Sequence, residues 1–104
     1  MSGEQRRRLA TAAAHAGYPG TLLAAIAEAT LPGYAAGDRL SDEHLGQVAD
    51  AVELLAEAGL SAERAGALLG ACRERSPERW RERFWTVAVR AVRANACRAG
   101  ANAE

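Results

Sequence analysis

The chain has 104 residues with 13 cationic and 13 acidic side chains, hence no net charge, a size that supports one modest core and not two. An apolar fraction of 49% with 25% charged residues excludes wholesale disorder, and no window approaches the ~18 uninterrupted apolar residues of a membrane span. Two cysteines, Cys72 and Cys97, without a short-spaced companion exclude a disulfide framework and fit an intracellular chain.

Large apolar side chains are scarce: eleven Leu, five Val, one Ile, one Phe and two Trp, against an alanine content of about a quarter. Such a core closes only if helix axes approach to the ~8 Å end of their usual spacing, and a stability of about 5 kcal/mol is expected. Every cation is Arg, which with the alanine and glycine content points to a GC-rich bacterial genome. The charge is unevenly placed. Residues 1–40 carry four Arg against three acids, 41–70 one against six, and 71–104 eight against four, or +1, −5 and +4. Arg6-Arg7-Arg8 precede an apolar stretch and Ala27-Glu28-Ala29 imitates a cleavage site, but His15, Gly17 and Pro19 break the run. No signal peptide is therefore expected, and the chain is placed in the cytoplasm.

In chain order, Ser2 and Gln5 have capping-box spacing, followed by Leu9, Ala12, Ala13 and Ala16 on one stripe, which predicts a helix over 3–16 that stops at Gly17. Arg6 to Arg8 sit at its positive end and oppose the helix dipole, so they serve solubility or an acidic partner rather than helix stability. A second, nearly uncharged helix over 21–30 should be covered on most sides. Residues 31–40 form the longest loop, with Tyr34 as its candidate contact residue.

Ser41 caps a third helix with Asp42 and Glu43 in its first turn. Its inward stripe is Leu45, Val48, Val52 and Leu55, its acidic face is Asp50, Glu53 and Glu57, and Gly59 ends it. Ser61 caps a fourth helix with Ala65, Leu68, Leu69 and Cys72 inward. Ala62, Gly66 and Gly70, spaced by four, are expected to form a groove for close packing. Ser76-Pro77 reads as N-cap and first residue of a fifth helix over 76–98. At 100° per residue Trp80, Phe84, Val87, Ala88, Ala91, Val92 and Ala94 share one arc with Trp85 on its border. Arg79, Arg83, Arg90 and Arg93 cluster opposite, and Arg81 and Arg98 lie within the apolar arc with their stems over neighbouring surface.

Ala56 to Ser61 with Leu68 resembles the turn of helix-turn-helix DNA-binding proteins. It departs from that pattern at bulky Leu55, and the following helix offers Ala62, Glu63, Gly66, Ala67 and Gly70 with only Arg64 to read a base. His15, His44, Cys72 and Cys97 lack the close pairs of a zinc site, so no metal is expected. No phosphate loop, convergent carboxylate pair or nucleophile elbow is present, so neither enzyme activity, cofactor nor small-molecule substrate is expected.

The sequence therefore predicts an all-α fold. It is a compact bundle of five helices, or six if the 31–40 loop contains one, in a single domain over 1–100 with a frayed tail over 101–104. The expected function is a protein-protein interaction module, an adaptor or assembly subunit, docking by charge and including self-association. Its expected contacts are Asp50, Glu53 and Glu57 on the third helix, Arg79, Arg83, Arg90, Arg93 and Trp85 on the fifth, and Tyr34 in the 31–40 loop. The alternative is a nucleic-acid-binding accessory protein using the arginine stripe.

Overall fold

A computed structural model describes residues 3–35 and 38–102, with side chains as far as Arg98. The described residues are all-α: α1 Gly3–Ala16, α2 Gly20–Thr30, α3 Asp42–Glu57, α4 Ala62–Arg75 and α5 Trp80–Asn102. The loop over 31–40 contains turns but no sixth helix among its described residues. The chain divides into two compact units, Met1–Glu53 and Leu54–Glu104, with the division falling inside α3.

In the first unit, α1 ends because Gly17 takes φ +74, a conformation that costs a residue with a Cβ but not glycine. Tyr18 N–H then donates to the Ala13 carbonyl at 2.9 Å and Gly17 N–H to that of Ala14 at 3.2 Å, which satisfies two of the carbonyls in the helix's last turn. Ala13 and Tyr18 are both buried beside this turn. Ser2 lies outside the described residues. Gln5 sits against Gly46, where an added Cβ would lie 3.2 Å from its Oε1. As its composition requires, α2 exposes no residue from Leu22 to Thr30. Its Leu22, Ile26, Ala27 and Ala29 are buried, as are Leu45, Val48, Ala49 and Val52 of α3. Ser41 Oγ accepts from His44 N–H at 3.2 Å, so the predicted cap is formed.

The described residues of the 31–40 loop are held by hydrogen bonds of their own. Tyr34 N–H donates to the Leu31 carbonyl at 3.1 Å. Ala35 N–H donates to Asp38 Oδ2 at 2.9 Å while Asp38 N–H returns to the Ala35 carbonyl at 3.0 Å.

The second unit opens with the end of α3. Gly59 has φ +75; Leu60 N–H donates to the Leu55 carbonyl at 3.2 Å and Gly59 N–H to that of Ala56 at 3.0 Å. Asn95 Nδ2 on α5 donates to a further terminal carbonyl, that of Glu57, at 3.0 Å. Ser61 Oγ then accepts from Arg64 N–H at 3.3 Å and starts α4. This Gly-Leu-Ser turn is thus accounted for by helix capping alone, and bulky Leu55 beside it has no exposure.

Ala65, Leu69 and Cys72 are buried and α4 packs against α5. Leu68 is only half-buried, and the expected groove is not one: Gly66 and Gly70 are exposed, and a Cβ on either would meet nothing within 4 Å. They lie one residue round the helix from the Ala65–Leu69 stripe, on the solvent side. The start of α5 also differs from expectation. Ser76 N–H donates to the Cys72 carbonyl at 2.9 Å, so Ser76 closes α4 rather than opening α5. Residues 77–79 form a turn, and α5 begins at Trp80.

Along α5, Trp80, Phe84 and Ala88 are buried, Phe84 without any exposure. Val87, Ala91 and Val92 are half-buried. Ala94 is exposed and Asn95 turns inward instead, because its amide has the Glu57 carbonyl to cap. Arg81 runs over the core as its position required: its guanidinium lies 4.6 Å from the Trp80 ring centroid, and that of Arg73 lies 4.3 Å away. Both distances are within the range of cation–π attraction. The helix continues to Asn102; of the expected tail, Ala103 and Glu104 lie outside the described residues.

Candidate functional site

The outward surface of α5 gathers most of the residues singled out from the sequence. Arg79, Arg83 and Arg90 line a shallow hollow of about 380 Å³ with Ser76, Glu82, Thr86 and Val87. A neighbouring hollow of about 460 Å³ is lined by Trp85, Val89, Arg90, Arg93, Glu82 and Thr86. Arg90 faces both, so the two form one surface. The helical period brings together positions 83, 90 and 93, which fall within ~80° of arc with 85 and 89 adjoining them, while Arg79 lies in the turn just before the helix.

These arginines differ in their partners. Arg79 Nε lies 3.3 Å from Glu82 Oε2, a pair one turn apart with both side chains largely exposed. Among the described residues no carboxylate pairs with Arg83, Arg90 or Arg93. Thr86 Oγ1 donates to the Glu82 carbonyl at 2.8 Å, so its hydroxyl hydrogen is engaged within α5.

Trp85 settles between the core and the surface. It is half-buried, and its ring meets the edge of Phe84 with centroids 4.8 Å apart and planes at 70°. This is the favoured edge-to-face geometry, and it fixes the indole in place. Val89, at 37%, is the exposed large apolar residue among those described. Sequence reasoning passed over Val89; the signal was its position four residues after Trp85 and outside the apolar arc.

The acidic residues of α3 stand differently. Arg8 of α1 pairs with both Asp50 and Glu53. Its Nη2 donates to Glu53 Oε1 at 2.6 Å and its Nε to Glu53 Oε2 at 3.2 Å, while Nη2 also reaches Asp50 Oδ1. The hydrogen bonds that Arg8 donates to Glu53 and then Asp50 raise its pKa above the ordinary value, since both favour the charged guanidinium. Arg8 was missed as the partner of these acids, although its place at the positive end of a helix marked it as serving something other than α1. Glu57 is exposed at the end of α3. Tyr34 is half-buried and lines a separate hollow of about 320 Å³ in the first unit, with Leu31, Asp38, His44 and Gln47 among its walls.

Cys72 is buried and Cys97 exposed, both as free thiols. No group of three potential metal ligands occurs among the described residues, and none of the described helices is long and apolar enough to cross a membrane. Comparison with protein-family models, with curated proteins and with solved structures finds no match.

Proposed function

We propose that the protein is a small helical interaction module that seats an acidic surface of a partner protein on the arginine face of α5. The carrying observation is the row of Arg83, Arg90 and Arg93, exposed and without carboxylate partners among the described residues, beside half-buried Trp85 and exposed Val89. Guanidinium forks bind carboxylates in pairs of hydrogen bonds, and Trp and Arg are the residue types that most often anchor protein interfaces.

Two competing readings fare less well on particular residues. Self-association by α3 of one copy on α5 of another would draw on Asp50 and Glu53, which Arg8 already engages. Nucleic acid would run an unbroken row of phosphates past Glu82, which lines both hollows and repels them, whereas a protein partner can set a neutral or basic side chain there.

The test compares an acidic peptide with single-stranded DNA of similar charge, both fluorescently labelled, at low salt. The expected result is peptide binding that weakens with salt and disappears in the triple variant Arg83→Glu/Arg90→Glu/Arg93→Glu. Tighter binding of the DNA through the same arginines would give the nucleic-acid reading instead. Peptide binding that survives the triple variant would clear this face of any role.

A further inference from the structure

Resting on the acidic-docking reading, we propose that the partner element is an amphipathic helix, seated lengthwise on a second, outward seam of α5. Trp85, Val89, Val92 and Ala96 follow one another at intervals of 4, 3 and 4 residues, the repeat by which one helix packs along another. This seam is distinct from the core face of Trp80, Phe84 and Ala88. Trp85 and Val92 are half-buried, Val89 and Ala96 exposed, so the seam is partly covered by the fold and partly left open. The small side chain of Ala96 allows a close approach of backbones at one end. The Trp85 ring is already held against Phe84, so it loses little freedom on docking.

The charges beside the seam define the partner's chemistry. At 100° per residue, going round α5 from Val89, the next positions as far as Arg98 are Glu82, Arg93, Thr86, Cys97 and Arg90. All of these except Cys97 line the hollow that contains Trp85 and Val89. A helix whose apolar stripe covers Trp85, Val89 and Val92 therefore lays one flank along Arg90 and Arg93. That flank has to be acidic, whereas the end near Glu82 has to be polar or basic, which fixes the partner's direction along α5. Two copies meeting antiparallel along this seam would instead bring arginine rows together. A seam of this size buries little apolar area, so an affinity in the micromolar range is expected.

The probe is a labelled synthetic helix with Leu at the seam spacing and Glu along one flank. It is measured beside a peptide of the same composition in scrambled order and one with Lys in place of Glu. Wild-type protein is expected to bind the ordered acidic helix at least ~10-fold more tightly than the scrambled one. Val89→Asp should weaken that binding by about tenfold or more while leaving the melting curve unchanged, because Val89 is exposed. Arg90→Glu/Arg93→Glu should reject the acidic helix and accept the Lys-flanked one. Equal binding of ordered and scrambled peptides, indifferent to Val89→Asp, overturns the seam while acidic docking stands. If neither acidic peptide binds, both readings fall. A concentration-dependent dimer in light scattering that Val89→Asp abolishes overturns the proposal in favour of a second copy as occupant.

Discussion

Arg8 in the first unit and the outward arginines of α5 in the second use their charge in opposite ways. In the first, Arg8 is committed: one guanidinium holds Glu53 at both oxygens and Asp50 with the same fork. In the second, Arg73 and Arg81 lie over Trp80, whereas Arg83, Arg90 and Arg93 stand outward along one helix face without carboxylates among the described residues. Cations left unpaired in a row repel one another and stabilise nothing internally. The difference teaches that net charge conceals function here: the same residue type serves as a cross-link in one place, as packing in another, and as an available surface in a third.

The sharpest way to break that comparison is to remove what holds the α5 surface in place. Phe84 has no exposure and supports the Trp85 ring. Phe84→Ala should cost about 3–5 kcal/mol, comparable with the whole stability expected of a chain this size, and abolish a cooperative melt by circular dichroism. A variant that melted normally would show that α5 does not depend on this core. The glycines give a smaller and two-signed effect. Gly59→Ala forces a Cβ to φ +75 and to 2.8 Å from Asn95 Nδ2, and should destabilise by about 1–2 kcal/mol. Gly66→Ala places its Cβ in open space within α4 and should stabilise by about 0.5–1 kcal/mol; denaturant midpoints read both.

The arginine contrast itself appears at the next scale. Arg8→Ala should lower the melting temperature slightly, by an amount that shrinks with added salt, and should couple to Glu53→Ala in a double-mutant cycle. Arg90→Ala should leave the melting temperature where it was. An equal loss from both would erase the distinction between committed and available arginines. The smallest effect is alkaline. Burial raises the Tyr18 pKa above the ordinary phenol value, so the folded state holds its proton more firmly than the unfolded chain does. That contribution is fully present below pH ~10 and is lost as pH rises through the folded-state value. Tyr18→Phe should flatten this part of the stability–pH curve.

Local signals carried most of the fold. Ser41 and Ser61 cap helices, Gly17 and Gly59 end them, and Leu45, Val48, Val52 and Leu55 form the buried stripe of α3; each depends on neighbours within about one or two turns. What escaped is of two kinds. Ser76-Pro77 has the residue types of a helix start, but the Ser76 N–H is taken by the turn before it, and one dipeptide cannot say which helix claims its amide. The spacing of Gly66 and Gly70 gives no sign of which side of α4 meets a neighbour. The pairing of Arg8 with acids 42 and 45 residues away depends on how α1 meets α3, which no periodicity encodes. The arginines on one side of α5 were legible from angle alone; the apolar seam beside them needed the exposure of Val89 in the fold.

One measurement bears most directly on the division between committed and available arginines: anisotropy of the labelled acidic amphipathic helix against wild type, Arg8→Ala and Arg83→Glu/Arg90→Glu/Arg93→Glu, with melting curves alongside. The account predicts that Arg8→Ala binds like wild type, and that the triple variant loses binding with its melting temperature preserved. Binding that persists in the triple variant, or that disappears equally in Arg8→Ala, would contradict it.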